Sequence, residues 1–115
     1  HLWFERSGAD LIMSLPLGYS DLVLGTSITL SHVDGKDLTI KVPAYSNSGD
    51  TLEIKKRGLP RTRSSGRGDV IVLLKLHMPK KVDKKSRKSL QELKDVLGPK
   101  DIVERIKADA KERRN

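Results

Sequence analysis

The sequence predicts a mainly β fold, a small two-layer β-sandwich with one short helix, followed by C-terminal α-helices. Apolar residues alternate with polar residues through 10–17 and 26–42, which is typical of strands with one buried face. From residue 80 onward, apolar residues recur with the period of an amphipathic helix. We therefore expect a β-domain over residues 1–79 and a linker with helices over residues 80–115.

A strand and a short helix are expected first. The strand places four apolar residues on one side: Leu11, Met13, Leu15 and Leu17. Pro16 cannot donate a ladder hydrogen bond, which indicates that the strand lies at a sheet edge or ends there. Ser20 can cap a helix and Gly25 can end one, so one or two helical turns are expected between them.

A β-hairpin is predicted over residues 26–42. Asp34-Gly35 favours a two-residue type I′ turn, which requires positive φ at both central residues. Loops are expected at 43–50 and 56–68, separated by a short strand that contains Leu52 and Ile54.

The centre of the fold is expected at residues 70–74, which read Val-Ile-Val-Leu-Leu. An uninterrupted, β-branched run is typical of a strand that is covered on both faces. Pro79 ends this segment.

The helical region carries narrow apolar stripes. The first stripe contains Val82, Leu90, Leu93, Val96 and Leu97, and Gly98-Pro99 is expected to end that helix. A second, narrower stripe contains Ile102, Val103, Ile106 and Ala110. Because a short isolated helix is marginal in water, these stripes need a cover. The sandwich, the other helix or a second chain could supply it, and we favour a homodimer contact.

Composition and charge restrict the possible functions. The 115 residues contain no cysteine, which excludes disulfides, cysteine–zinc sites and thiol catalysis. No apolar run is long enough for a membrane-spanning helix. Residues 1–79 carry ten basic and eight acidic residues, whereas residues 80–115 carry thirteen and seven. The chain begins with His1 rather than methionine, so we expect a fragment of a longer protein.

Several motifs resemble, in order, the C-terminal region of the DnaJ chaperone family, its second β-domain and dimerisation helices. The most specific pair is Arg57-Gly58-Leu59-Pro60 with Gly66-Arg67-Gly68-Asp69. The remaining matches are the entry residues His1, Phe4, Arg6, Gly8, Asp10 and Leu11, then 22–25, 34–36, 41–44 with 48–49, and Pro79-Lys80. The resemblance covers residues 1–97. Tyr45 and Leu52 depart from the family pattern, which usually has glycine and an aromatic residue there.

The resemblance implies a co-chaperone fragment without catalytic residues or cofactor. Family members bind unfolded polypeptide clients and deliver them to a DnaK-type, seventy-kilodalton heat-shock chaperone, in the cytoplasm or alternatively the mitochondrial matrix. The His-Pro-Asp tripeptide of the ATPase-stimulating J-domain does not occur here, because His32 precedes Val33 and His77 precedes Met78. The expected roles of this part are homodimerisation and auxiliary client binding.

Candidate binding residues fall into three groups. The dimer contact is expected at the first helical stripe. A client surface is expected on the hairpin, at Ile28, Leu30, Leu38 and Ile40. A basic partner surface, which suits carboxylates or phosphates, is expected at Lys56, Arg57, Arg61, Arg63, Lys80, Lys81, Lys84 and Lys85.

The alternative function is a basic nucleic-acid-binding module, because lysine and arginine neutralise phosphates without regard to sequence. Aromatic residues are not interleaved with the basic clusters, which disfavours base stacking.

The histidines His1, His32 and His77 have no common metal-ligand spacing. Arg67-Gly68-Asp69, although it spells an adhesion tripeptide, is interpreted as a turn before the central strand, and no nucleophile or acid–base cluster indicates an enzyme.

Overall fold

In a computed structural model, the chain is described over residues 4–97 and 100–114. The chain divides into two compact units, one ending at Met78 and one beginning at Pro79. Each unit is therefore described separately.

Strands dominate the first unit and helices form the second. The strands and helices are β1 (Glu5–Ser7), β2 (Asp10–Leu17), α1 (Tyr19–Leu24), β3 (Thr26–Ser31), β4 (Asp37–Val42), β5 (Thr51–Ile54), β6 (Val70–Leu76), α2 (Lys84–Leu97) and α3 (Lys100–Arg114). The predicted class, mainly β with C-terminal helices, is confirmed. The predicted helix break at Gly98-Pro99 lies outside the described residues.

Two sheets form the sandwich. The larger sheet has the strand order β1-β2-β6-β5, and the smaller sheet pairs β3 with β4. β2 and β6 run parallel, from Leu11 opposite Val70 to Leu17 opposite Leu76. The other neighbouring strands are antiparallel. The central position predicted for residues 70–74 is therefore confirmed.

The core lies between the sheets and is aliphatic. Its most buried side chains alternate along β2, β4 and β6: Leu11, Met13, Leu15, Leu17, Leu38, Ile40, Val42, Val70, Val72 and Leu74. The predicted alternation of β2 is confirmed. The expectation that β6 is covered on both faces is wrong for one face, since Ile71 and Leu73 are only half-buried. The smaller sheet covers the face that carries Val70, Val72 and Leu74.

The hairpin is confirmed over residues 26–42, but its turn differs from the prediction. Ser31 pairs with Asp37, which leaves a five-residue loop in place of a two-residue type I′ turn. Gly35 has a φ of 79°, and Asp34 is not among the residues with positive φ. The Asp34 carboxylate accepts the N–H of Lys36 at 2.9 Å, and Gly35 N donates to His32 O at 3.0 Å. These bonds favour the longer loop.

The short helix is confirmed, but Ser20 is not its cap. The helix begins at Tyr19, one residue earlier, with Gly18 at the N-cap, and Gly18 O accepts the Leu22 N–H at 3.2 Å. Gly25 ends the helix as predicted. Tyr45 takes a φ of 60° and is 82% exposed, so a bulky residue adopts the left-handed conformation, which ordinarily favours glycine.

Three backbone segments cross next to the start of β6. Leu59 N donates to Ala9 O at 2.7 Å, Gly58 N to Gly68 O at 2.9 Å, and Gly68 N to Leu59 O at 2.9 Å. A Cβ atom at Gly68 would lie 2.3 Å from Ala9 O, and one at Gly58 would lie 2.6 Å from the same oxygen. The crossing therefore requires glycine at both positions.

We expect Gly68→Ala to lower the free energy of unfolding by about 3 kcal/mol or more, because the new methyl group would clash with backbone rather than with a flexible side chain. Urea denaturation followed by circular dichroism measures the change. Gly18→Ala is the matched control, since its Cβ would meet only Asp21 Oδ2 at 3.8 Å. The control is expected to cost at most about 1 kcal/mol. Equal stabilities for the two variants would contradict the prediction.

Candidate functional site

An apolar pocket opens at one edge of the sandwich. Its volume is about 420 Å³, and its lining comes from β2, β3 and the residue before β1: Phe4, Met13, Ser14, Leu15, Pro16, Leu30 and Ser31. None of these lining residues is charged. We call this site the edge pocket.

The edge pocket lies beside an incompletely paired strand. β1 pairs with residues 10–12 of β2 only. Leu11 N donates to Asp69 O and Leu17 O accepts from His77 N, so both residues point their backbone groups toward β6. Because orientation alternates along a strand, the backbone groups of Ser14 and Pro16 point toward the opposite edge. Within the described residues no strand pairs there, which is where a proline is tolerated.

The structure separates the predicted client residues. Leu30 lines the edge pocket, and Ile28 is half-buried against the core. Leu38 and Ile40 are 0% exposed, so the expectation that they form an accessible surface is wrong. Side chains alternate between the two faces of β4, and Leu38 and Ile40 lie on the face that packs against the larger sheet.

Sequence reasoning missed four apolar residues of the pocket, Phe4, Met13, Leu15 and Pro16. The period of β2 identified its buried side but not its open edge. Strand order depends on the pairing of β2 with β6, which are some sixty residues apart in the chain. The position of Pro16 was the only local signal for an open edge.

His32 connects the edge pocket to the loop between β5 and β6. Its ring is 7% exposed and contacts the Phe4 ring edge-on, with centroids 5.4 Å apart. His32 Nε2 lies 2.7 Å from Arg57 O. A carbonyl oxygen only accepts, so Nε2 donates the proton of this hydrogen bond. The ring supports Phe4 and holds the end of β3 against Arg57.

The residues predicted to form one basic surface lie in separate places. Lys56 and Arg61 join Lys55 and Arg67 in a cleft of about 420 Å³, which we call the basic cleft. Arg57 instead has a structural role, because it ion-pairs with Asp34 at 3.4 Å and donates to Asp37 O at 3.0 Å. Arg63 is exposed outside the cleft lining. The second unit contains the exposed residues Lys80, Lys81, Lys84 and Lys85.

Hydrogen bonds shift the charges at the rim of the basic cleft. Lys55 Nζ donates to Glu53 Oε2 at 2.9 Å, which raises the pKa of that ammonium group. Asp69 Oδ1 accepts the Lys56 N–H at 3.0 Å, which lowers the pKa of that carboxyl group. Lys55 also lies 3.4 Å from Asp69 Oδ2. Asp69 therefore acts within the loop. The turn predicted at Arg67-Gly68-Asp69 is wrong, because Arg67 forms a bridge with Pro60 and the next two residues lead into β6 without a turn.

The predicted dimerisation stripe is accessible. Leu90, Val96 and Leu97 are 49%, 79% and 57% exposed, and Leu93 is half-buried. Val82 lies before α2 rather than on it. Along α3, Ile102, Val103 and Ile106 are also exposed.

Asp83 is a further residue that sequence reasoning missed. Its Oδ1 accepts the Ser86 N–H at 2.7 Å, and its O accepts the Arg87 N–H at 2.9 Å, so Asp83 caps α2. The side-chain hydrogen bond with Ser86, followed by the backbone one, lowers the pKa of the Asp83 carboxyl group. The Asp-x-x-Ser spacing before the helix was the available signal.

Aromatic and basic side chains are segregated in the first unit. Tyr19 and Tyr45 line one cleft without a basic residue, and the basic cleft has no aromatic residue in its lining. Base stacking on a basic platform needs both together. The described residues include no group of three or more potential metal ligands among histidine, cysteine, aspartate and glutamate. Over the same residues, no helix has the length and apolarity to cross a membrane.

The geometry defines a small β-sandwich with an apolar edge pocket and a helical appendage. A family model described as the DnaJ C terminal domain matches residues 1–79. The chain belongs to the DnaJ family, as a part of its C-terminal region.

Individual relatives agree with the family match. The chain is 34% identical to a chaperone protein DnaJ of Thermosipho africanus over 90% of its length, and 35% identical to a chaperone protein DnaJ 2 of Aquifex aeolicus over 91%. A chaperone protein DnaJ of Clostridium novyi is 34% identical over 96% of the chain, so similarity extends beyond the expected limit at residue 97. The chain spans only 27%, 30% and 31% of these relatives.

We expect the Asp83 cap to make α2 helicity depend on pH. The lowered pKa means that the carboxylate stabilises the helix at neutral pH, and that this contribution is lost as pH falls below the ordinary aspartate value of 3.8 and through the lowered pKa. Circular dichroism at 222 nm measures the helical signal of the wild-type chain between pH 7 and pH 2.

Asp83→Asn is the matched variant, because its amide oxygen caps without titrating. It should lose less helical signal in acid than the wild type, whereas Asp83→Ala should have reduced helicity already at pH 7. Identical acid transitions for the wild type and Asp83→Asn would show that this carboxylate does not stabilise α2.

Proposed function

We propose that this part of a DnaJ-type co-chaperone binds unfolded polypeptide clients at the edge pocket and forms a homodimer through α2. The observation that supports client binding is an uncharged apolar pocket beside an open strand edge. An extended segment could place apolar side chains in the pocket while its backbone bonds to the edge of β2. Such recognition depends little on sequence, which suits varied unfolded clients.

Backbone bonding at this edge is limited. Ser14 offers an N–H and a C=O, whereas Pro16 offers only a C=O. Apolar burial must therefore supply most of the affinity. This limitation favours an auxiliary role, with the client also held elsewhere in the longer protein.

The dimer proposal rests on the exposed stripe of α2. Burial of a stripe that contains Leu90, Leu93 and Leu97 would stabilise the dimer by about 25 cal/mol per Å² of apolar surface removed from water. The charged residues on the other faces of α2 would stay in water. Two copies would bring two edge pockets to one client, which raises the effective concentration of the second pocket.

We also propose an activity for the longer protein of which this chain is a part. The chain spans less than a third of the relatives compared. Delivery of clients to a DnaK-type chaperone would need the rest of the protein, which we propose acts in the cytoplasm.

We expect Leu30→Ser to weaken binding of an apolar client peptide about tenfold, because the substitution removes apolar surface from the pocket wall. Fluorescence anisotropy with a labelled heptapeptide of alternating leucine and serine measures the affinity. Leu24→Ser is the matched control, since Leu24 is 77% exposed and lies outside the pocket lining. Equal loss in both variants, with both folded, would contradict pocket binding.

We expect Leu93→Asp to dissociate the homodimer, raising its dissociation constant a hundredfold or more, because an unpaired carboxylate would be buried in the contact. Sedimentation equilibrium gives the mass, and β-sheet circular dichroism checks the sandwich. Gln91→Asp introduces the same charge on the opposite face of α2 and should leave the dimer intact. The proposal fails if Leu93→Asp leaves the mass unchanged, or if the wild type is already a monomer.

A further inference from the structure

We propose that the basic cleft binds a short acidic polypeptide segment, at a site separate from the edge pocket and independent of dimerisation. The cleft is formed by the loop that leads from β5 to β6, with the lining Lys55, Lys56, Arg61, Ser65, Gly66, Arg67 and Asp69. Three features support the proposal: the local charge, the preorganised loop and the charge of the surrounding domain.

The cleft concentrates the positive charge of the first unit. Its lining has four cationic side chains and one carboxylate, whereas the rest of residues 1–79 has six basic and seven acidic residues. The domain as a whole is nearly neutral. Its attraction for an anion is therefore focused on one cleft rather than spread over the surface.

Three of the four cations are available to a ligand. Lys55 is engaged by Glu53 and Asp69. Within the described residues, Lys56, Arg61 and Arg67 form no ion pair, since the three ion pairs found there involve Lys55 and Arg57. Arg67 Nε donates to Gly58 O at 2.9 Å, which orients the half-buried guanidinium group without neutralising it. Two or three ligand carboxylates would match this set.

The cleft is preorganised by backbone bonds across the loop. Arg61 N donates to Gly66 O at 3.0 Å, Gly68 N donates to Leu59 O, and Pro60 forms an isolated bridge with Arg67. Asp69 fixes the backbone of Lys56 through the hydrogen bond already described. A loop held in this way loses less conformational entropy on binding than an open one.

A short peptide fits the site better than a nucleic acid. The lining has no aromatic side chain on which a base could stack. Outside the cleft, residues 1–79 carry six basic and seven acidic residues, so the rest of this domain offers a long polyanion no further net attraction. A segment of about six residues with three carboxylates would contact the cleft alone, and Arg61 and Arg67 can each pair with a carboxylate.

The test is fluorescence anisotropy of the whole 115-residue chain with a labelled six-residue peptide that contains three glutamates, at about 50 mM salt, where electrostatic contacts are weakly screened. Arg61→Gln should weaken binding about three- to fivefold, as expected for loss of one exposed charged contact. Arg63→Gln, the matched control on the same loop, should change binding less than about twofold. The Arg61 side chain makes no hydrogen bond or ion pair with the described residues. If Arg61→Gln nevertheless fails to fold, Lys56→Gln serves as the second variant, with the same expected loss.

Further measurements separate acidic-peptide binding from the edge-pocket, dimer and nucleic-acid alternatives. Leu30→Ser and Leu93→Asp should bind the acidic peptide like the wild type, so failure of the edge pocket or of the dimer would not affect this result. Equal binding of the peptide with three glutamines in place of the glutamates would overturn the proposal. So would an equal loss for Arg61→Gln and Arg63→Gln, or tighter binding of a single-stranded oligonucleotide of the same charge.

Discussion

The backbones around Ala9, Gly58 and Gly68 cross within hydrogen-bond distance, and both candidate sites of the β-domain depend on that crossing. The Ala9 turn positions the start of β2, and the segment from Gly68 leads directly into β6. Asp10 Oδ1 accepts the Asp69 N–H at 2.7 Å, and Leu11 N donates to Asp69 O at 2.9 Å. These contacts set the parallel register of β2 and β6. The alignment of the buried side chains of β2 with those of β6 and the position of the loop that forms the basic cleft follow from this register.

Local sequence patterns predicted the strands and helices because each depends on short-range periodicity. The alternation of β2, the hairpin and the position of α1 are examples. Features that depend on distant pairing were not predictable in this way. The five-residue hairpin loop is set by the side chain of Asp34, which Arg57 contacts from twenty-three positions further along the chain. The open edge of β2 likewise depends on where β1 stops pairing.

The residues of the two candidate sites were predicted to different degrees, because their burial depends on distant pairing to different degrees. Leu30, Lys56 and Arg61 were identified by residue type and lie in clefts, whereas Leu38 and Ile40 lie in the core. An apolar residue on an alternating strand can face either the core or the solvent, and only the second sheet decides which. A charged side chain in a glycine-rich loop is expected to face the solvent, because burying a charge is costly. Arg57 is the exception, since its guanidinium group is used to join the hairpin to the loop.

Pro16 limits strand pairing between copies of this chain at the free edge of β2. A long strand edge with an unbroken row of unpaired N–H and C=O groups is a template for uncontrolled pairing, and proline is one of the residues that prevents it. The free edge of β2 offers the N–H of Ser14 and no second donor at Pro16, so a neighbouring strand cannot extend a continuous ladder along it. An edge with this deficit is protected from fibre-like stacking of copies of the chain.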